Sequence, residues 1–272
     1  MPFASSLTPL GAPIHHATVE VPGIGAFSAV GRVGAWTARL VPLAFSPPRF
    51  PREAWRHARD TSLRGALPVC VIVGSFGAVV ALQGLNIFRI FGTQAMLPSL
   101  VVVAILREAA PTFSGIMIAA QAGSTVAAEL AVMRVKEELD ATEVMSVDAL
   151  RFHVLPRVAG LLFASPLLTV LSGASGILSA WIVTVGFGWV SPGAFRENMF
   201  GFLRTSDIFA SVVKSISYGL LIGVIATYQG FHAGRGARGV GEAANRAVVV
   251  SIVCIVVVNY ILTSAIFGAV AG

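Results

Sequence analysis

The chain has 272 residues, of which 56% are hydrophobic and only 12% are charged, and its mean hydropathy is +0.82. Soluble globular domains carry about 25% charged residues, so this composition excludes an ordinary soluble globule and favours a protein embedded in a lipid bilayer. The formal net charge of +6 does not indicate a nucleic-acid partner, because basic residues beside membrane spans commonly set orientation instead.

The amino-terminal part differs in composition from the rest. Residues 1–45 are rich in proline, glycine, alanine and serine and show no sustained period, which predicts a mobile leader ahead of one membrane domain at residues 46–272. The next sequence, PPRFPREAWRHARD (residues 47–60), mixes arginines with Phe50 and Trp55. This mixture predicts a helix lying among the lipid headgroups, although an ordinary surface helix would have the same pattern.

Five apolar stretches are long enough to cross a membrane as helices. The first, residues 66–88, carries no charge over 23 residues, which corresponds to about 35 Å of helix. The other four cover about residues 93–120, 158–195, 208–231 and 247–270. We expect 158–195 to be one long span with an irregular outer end, and the fold to be an all-α integral membrane protein. Several glycines are expected to allow close helix approach, namely Gly74, Gly77, Gly173 and Gly176.

Basic residues are distributed unequally between the two sides that these spans define. Of the 19 lysines and arginines, seven precede position 65, four lie between the second and third spans, and three flank the last span, which places 14 on one side. Arg89, Arg196 and Arg204 fall on the other side. Because positive residues are retained in the cytoplasm, this distribution predicts a multi-pass protein with a cytoplasmic amino terminus.

The most polar long stretch is AAELAVMRVKEELDATEVMSVDALRFHVLPR, residues 127–157. Its first part, residues 127–145, has no proline or glycine and consists mostly of strong helix formers, so we expect one helix of 19 residues. Two base–acid pairs stand four residues apart and could form ion pairs on this helix, Arg134 with Glu138 and Lys136 with Asp140. A solvated connector and a helix that docks on a soluble partner are equally compatible with this pattern.

This stretch resembles the signature of the MlaE/YrbE permease family, the membrane subunits of Mce-type ABC lipid transporters. The resemblance extends to LREAAP (106–111), KSISYGLLIGVIATYQGF (214–231) and GVGEAANRAVVVSIVCIVVVNYILTSAIFG (239–268), and covers about residues 45–270. The departures are Ser146 and Ala149, where the family usually has Gly and Pro, and Gln121 and Ala110, where Arg and Gly are frequent. The resemblance implies a permease of the bacterial inner membrane that moves phospholipid or a related lipid between the inner and outer membranes.

The resemblance also implies partners and a site. In the family, the polar stretch is a coupling helix seated on a separate ATPase subunit, and the corresponding residues here are Glu129, Met133, Arg134, Glu137, Glu138, Asp140 and Glu143. An outward-facing lipid pocket at the centre of a homodimer would be lined by Val80, Ile87, Phe88, Phe91, Arg107 and Glu108. An Mce-domain protein outside the inner membrane is a further implied partner, and a small STAS-type subunit is the last that the resemblance suggests.

Arg107 and Glu108 interrupt the second apolar stretch. Charges at membrane depth are costly unless they face polar groups or a wet cavity. A structural pairing, for which Lys214 is the candidate partner, and a role beside a substrate both fit the sequence. The three charges also leave open a protein of another class, an ion-coupled secondary transporter or channel. A noncatalytic scaffold that recruits a partner through its polar stretch is a third possibility.

Other motifs argue against an enzyme. GRGARG (residues 234–239) matches the dinucleotide fingerprint, but that site requires a preceding strand, so a cytoplasmic loop is the better interpretation. Lys136 and Lys214 are the only lysines and each follows a valine, so the chain lacks a phosphate-binding Gly-Lys-Ser/Thr, and ATP hydrolysis is expected on a partner. No catalytic triad or metal-ligand pattern stands out, and no cofactor is expected.

Overall fold

The computed structural model describes residues 31–40, 42 and 51–268. All regular secondary structure within these ranges is helical. The helices are α1 (residues 31–40 and 42), α2 (Pro51–Ile90), α3 (Gln94–Val135), α4 (Glu138–Val144), α5 (Leu150–Gly186), α6 (Pro192–Phe202), α7 (Thr205–Phe231) and α8 (Gly236–Phe267). Five of them, α2, α3, α5, α7 and α8, are long and apolar enough to cross a membrane. The predicted all-α membrane fold with five spans is therefore confirmed.

The five long helices alternate in direction through the bundle. Gly160 near the start of α5 lies against His57 near the start of α2, and Gly230 near the end of α7 lies against Ala127 in the last part of α3. The short helix α4 connects α3 with α5, and α6 connects α5 with α7. The two ends of the bundle are called below the α4 side and the α6 side.

Small residues bring α2 and α5 into close contact. A Cβ atom added at Gly77 would collide with the carbonyl oxygen of Gly176, and Ser179 Oγ donates a hydrogen bond to the Gly74 oxygen at 2.5 Å. Such approach is characteristic of membrane helices, where small residues replace bulky ones at the interface. The expected role of Gly77 and Gly176 is confirmed, whereas a Cβ at Gly74 would make only ordinary contact, 3.8 Å from the Ser175 oxygen.

The helix expected among the headgroups is not separate from the first span. Residues 51–60 are the beginning of α2, which continues without interruption to Ile90, and residues 47–50 lie outside the described ranges. Gly65 is the one glycine near the expected junction, and it is buried against Leu168 of α5. Helix α2 thus packs on α5 at the point where its composition changes from charged to apolar, and it is not interrupted there.

Part of the expected leader is helical. Trp36 and Leu40 of α1 are buried. The centre of the Trp36 ring lies 5.0 Å from the centre of the Phe231 ring and 5.1 Å from the centre of the His232 ring. Helix α1 therefore packs on the α4-side end of α7, which differs from the expected mobile leader for these residues. The rest of the leader lies outside the described residues, and the domain boundary at residue 45 stays a prediction.

Candidate functional site

A buried cation joins three helices in the α6-side half of the bundle. Lys214 of α7 is completely buried, about 14 Å of helix from the start of α7. Its Nζ donates to Glu108 Oε1 at 2.9 Å, to the Arg107 carbonyl oxygen at 2.9 Å, and to Thr263 Oγ1 at 2.7 Å. An ammonium group has three hydrogens to donate, and all three find acceptors here. The expected pairing of this lysine with the Arg107–Glu108 segment is confirmed.

Local backbone geometry explains why the Arg107 carbonyl is available. Residues Val103–Ala109 form a π-helical turn within α3, and Pro111 follows it. In an α-helix the amide of residue 111 would donate to the carbonyl of residue 107, but proline has no amide hydrogen. Lys214 supplies the missing donor from a neighbouring helix. The LREAAP segment thus combines a widened turn with a backbone carbonyl that accepts from another helix at membrane depth.

The Glu108 carboxylate is the centre of a wider polar network. Its Oε1 accepts from Thr263 Oγ1 at 3.0 Å in addition to Lys214, and its Oε2 accepts from Asn259 Nδ2 at 3.0 Å. Tyr218 donates its hydroxyl to Asn259 Oδ1 at 2.7 Å. The Glu108 side chain nevertheless remains 41% exposed in the single chain. It can therefore both hold the network together and contact a molecule outside it.

Arg107 belongs to a second ion pair. Its Nε lies 2.9 Å from Oδ1 of Asp207, which is buried in the first turn of α7, and its guanidinium lies 4.5 Å from the centre of the Phe267 ring. Arg107 also lines a cleft of about 340 Å³ together with Arg204. The sequence analysis did not single out Asp207; the available signal was an acid three residues after Arg204 at the start of an apolar helix.

The four positions implied for the lipid pocket in and just after α2 divide into two pairs. Val80 and Phe88 are partly buried and pack on the core between α2, α3 and α5. Ile87 and Phe91 are 55% and 72% exposed near the α6-side end of α2. Together with Ile90 they form an apolar surface that the single chain leaves uncovered.

The polar stretch is two helices rather than one, which corrects the expected helix at residues 127–145. Helix α3 continues to Val135, and Glu137 then adopts a left-handed conformation with φ of 60°. Helix α4 begins at the next residue. No signal in the sequence indicated this turn, since residues 127–145 contain no glycine or proline. The left-handed position is occupied by Glu137, and glutamate is a strong helix former.

The break also changes the ion pairs. Arg134 pairs with Asp140 at 2.6 Å, and Lys136 lies 3.8 Å from Glu138, so both predicted partner assignments are wrong. A spacing of four residues brings side chains together only within a continuous helix. Here α4 turns back toward the end of α3.

The residues implied for ATPase contact fall into two environments. Exposed positions around the turn and α4 are Arg134, Glu137, Glu138, Asp140 and Glu143. Met133 is partly buried, and Glu129 accepts from Arg157 Nη2 at 3.1 Å, an ion pair that ties α3 to α5. Val144 and Met145, 85% and 69% exposed at the end of α4, are apolar residues that the implied set of ATPase contacts did not include.

The GRGARG segment has no dinucleotide-binding context. Its first two residues lie between α7 and α8, and α8 begins at its third residue, Gly236. Both neighbours in the described chain are apolar helices, whereas a dinucleotide site requires a strand before the glycines. The expected loop is therefore shorter than the motif.

These features define a class: a multi-pass helical membrane protein with a charged network inside its apolar part and a short exposed helix between its second and third spans. The family Permease MlaE matches residues 54–265, and the chain belongs to this family. A "Probable ABC transporter permease protein" of Rickettsia felis is 34% identical over 74% of this chain and 78% of its own length. The "Intermembrane phospholipid transport system permease protein MlaE" of Haemophilus influenzae is 31% identical over 75% of this chain and 79% of its own. "Protein TRIGALACTOSYLDIACYLGLYCEROL 1, chloroplastic" of Arabidopsis thaliana is 30% identical over 74% of this chain and 58% of its own.

Proposed function

We propose that the chain is the permease subunit of an ABC transporter that moves phospholipid or a related lipid between membranes. The observation that carries this proposal is the family match, which includes α4 and nearly all of the five long helices. The names of the relatives from Rickettsia felis and Haemophilus influenzae support the ABC and phospholipid parts respectively. ATP hydrolysis takes place on a separate ATPase subunit, and this chain transmits the resulting motion.

The proposed ATPase contact is the turn at Glu137 together with α4. Its surface combines exposed acids, including Glu138 and Glu143, with the exposed apolar residues Val144 and Met145. An interface core needs apolar anchors and its rim needs charges, and this short segment provides both. The exposed Arg134–Asp140 ion pair connects α4 with the end of α3, and α4 follows that membrane-spanning helix after a single turn, so a displacement of α4 would be passed to α3.

The proposed lipid pocket is outward-facing and lies at the centre of a homodimer. The uncovered apolar surface at Ile87 and Phe91 would contact acyl chains, with Val80 and Phe88 behind it. Glu108, with Arg107 beside it, would lie near the polar part of the lipid, since its carboxylate is partly exposed while anchored to Lys214.

The proposed location is the bacterial inner membrane, with the α4 side in the cytoplasm. The basic residues support this orientation, because Arg89, Arg196 and Arg204 are the only ones assigned by sequence to the α6 side. An Mce-domain lipid-binding protein would then meet the α6 side in the periplasm. A small STAS-type subunit is a further partner to be sought on the cytoplasmic side.

The experiment that tests the proposal is purification of the full chain from native membranes in mild detergent, with mass spectrometry of the accompanying proteins and lipids. We expect a phosphate-loop ATPase in equal stoichiometry together with bound phospholipid. An ATPase without lipid would indicate the scaffold instead. Recovery of neither, with the chain folded, would indicate the ion-coupled transporter or channel and direct attention to Glu108 and Lys214.

Variants separate the two proposed surfaces. Val144→Asp and Glu138→Lys should weaken ATPase association without changing insertion, because both side chains are exposed. Arg196→Glu, an exposed charge reversal on the α6 side, is the matched control and should retain the ATPase. Phe91→Asn should reduce co-purified lipid while keeping the ATPase. Unchanged association in both α4 variants would remove α4 from the interface.

A further inference from the structure

A cleft of about 450 Å³ opens between α2, α3 and α5 in the α4-side half of the bundle, and the proposed function does not use it. Polar side chains, including Asp60, Arg64 and Gln121, line one part of it. Val69, Met117 and Leu168 line another part. The cleft is therefore amphipathic.

The polar and apolar parts are ordered along the membrane normal. Helices α2 and α3 run in opposite directions, so the polar residues near the start of α2 meet those near the end of α3. Along α3, the cleft extends from Glu129 on the α4 side to Met117, a distance of about 18 Å for 12 residues. Along α2 its lining changes from the polar Asp60 to the apolar Val69 over about 14 Å of helix. This order matches a lipid whose headgroup lies at the α4 side and whose chains point into the bilayer.

The charges of the polar part are not balanced. The Asp60 carboxylate is paired with Arg59 at 3.1 Å, and the Glu129 carboxylate is paired with Arg157 at 3.1 Å. Arg64 makes no ion pair or hydrogen bond with the described part of the chain. One uncommitted guanidinium therefore faces the cleft, and a guanidinium can donate two parallel hydrogen bonds to a phosphate.

A glycine keeps the cleft open next to this arginine. A Cβ atom at Gly65 would lie 3.0 Å from Leu168 Cδ1 and 4.0 Å from Gln121 Oε1, so any side chain here would enter the space between α2 and the cleft wall. The volume lies within the range of roughly 300–1,000 Å³ that is usual for small-molecule sites. It would accept a headgroup, a glycerol unit and the first part of the acyl chains, while the remaining chain length stays in the bilayer.

We propose that this cleft binds the phosphate-bearing headgroup of a lipid in the cytoplasmic leaflet, as a second lipid site separate from the outward-facing pocket. Arg64 binds the phosphate, and the side chains of Val69 and Leu168 contact the upper acyl chains. The inference rests on the proposed function for its orientation and its lipid substrate. It assigns to the chain the place at which lipid is exchanged with the cytoplasmic leaflet.

The test is photocrosslinking of the full chain in nanodiscs. The bulk lipid is diglucosyl diacylglycerol, which has no phosphate, and phosphatidylglycerol is added at increasing mole fraction. A benzophenone amino acid replaces Thr125, which lines the cleft and is exposed. We expect a phosphatidylglycerol adduct that saturates with mole fraction. Arg64→Gln should raise the half-saturating fraction about tenfold, since it removes a charged hydrogen-bond donor.

Matched controls define the outcomes. Arg52→Gln, an exposed arginine in the first turn of the same helix, should leave the half-saturating fraction unchanged, and Ala122→Phe should abolish saturation by filling the cleft. A benzophenone at Phe163, an exposed residue of α5, should report bulk lipid without saturation. The proposal would be overturned if the crosslinking yield rose with mole fraction in the same way at Thr125 and Phe163. It would also be overturned if the Arg64→Gln protein and the protein with Arg64 gave the same saturation curve.

Two further outcomes distinguish other ligands. Millimolar inorganic phosphate present during irradiation should not lower the yield of the lipid adduct; a lower yield would identify a free anion as the ligand and overturn the lipid assignment. Crosslinks to another polypeptide in place of lipid would overturn it as well. ATPase association and the amount of co-purified lipid are measured separately for the Arg64→Gln protein, as in the test of the proposed function. The cleft proposal can therefore fail while the proposed function stands.

Discussion

Lys214 illustrates how a single charge is accommodated at membrane depth. An isolated ammonium group inside a bilayer protein is strongly unfavourable, and such residues usually pair or face a polar cavity. Here its three donors meet a carboxylate, a backbone carbonyl and a hydroxyl on two other helices. The same contacts fix α3, α7 and α8 relative to one another.

Removal of this lysine should destabilise the protein. In Lys214→Met the Glu108 carboxylate loses its counter-charge and the Arg107 carbonyl loses its donor. The expected cost is at most about 3 kcal/mol, the low end for removing one partner of a buried pair, because Glu108 is partly exposed to begin with. The measurement is the midpoint of thermal unfolding of the purified chain in detergent, which should fall.

A double-mutant cycle provides the control for that prediction. Glu108→Gln alone leaves Lys214 with neutral acceptors, and the combination with Lys214→Met removes both charges. Because each charge compensates the other, the loss in the double variant should be smaller than the sum of the two single losses. Simple additivity would mean that the 2.9 Å contact contributes no coupling energy.

The sequence revealed only part of this network. Arg107 and Glu108 stood out because they interrupt an apolar stretch, and Lys214 because it lies inside another. Asn259 and Thr263 did not stand out, since an amide and a hydroxyl are unremarkable in a span. They contact Glu108 only because α8 packs beside α3, more than 150 residues along the chain.

At the scale of elements, long helices were predictable and their interruptions were not. Five apolar stretches determined the spans, because a bilayer requires about 20 predominantly apolar residues per helix. The turn at Glu137 was missed because intrinsic helix propensity favours continuation at that residue. The continuity of α2 was missed because the change from charged to apolar composition near residue 65 suggested the end of a helix. A change in polarity along a helix does not by itself end the helix.

The packing of α2 on α5 leads to a prediction with an internal control. Gly77→Ala should destabilise the protein, by about 1–3 kcal/mol, because the new methyl group would meet the rigid backbone at Gly176 and force the helices apart. Gly74→Ala, one turn earlier on α2, adds a methyl group at an ordinary contact distance of 3.8 Å. Its unfolding midpoint should stay near that of the unsubstituted chain, whereas that of Gly77→Ala should fall.

Equal behaviour of the two alanine variants would contradict this interpretation. A fall in both would indicate that any added volume on α2 is harmful, and a fall in neither would indicate that α2 and α5 can separate without cost. Both variants keep the polarity of the helix and change one methyl group only. The comparison therefore isolates the distance between the two backbones.

At the scale of the whole molecule, the two ends of the bundle differ both in charge and in exposed apolar surface. The basic residues are concentrated on the α4 side, and the ion pairs that connect α4 and α5 with α3 lie there too. The uncovered apolar residues Ile87 and Phe91 lie near the opposite end, in the half that also contains the Glu108 network. This arrangement agrees with the proposal that motion is received at the α4 side and that lipid is bound near the α6 side.

That orientation can be tested with a matched pair of cysteine variants. Cys70 and Cys254 are first replaced by alanine, and single cysteines are then placed at Arg238 on the α4 side or Arg196 on the α6 side, both exposed arginines. In intact spheroplasts, a membrane-impermeant maleimide should label Arg196→Cys and should label Arg238→Cys only after permeabilisation. The reverse pattern would place α4 outside the cytoplasm, where no cytoplasmic ATPase could reach it. It would also mean that 14 of the 19 basic residues violate the positive-inside rule.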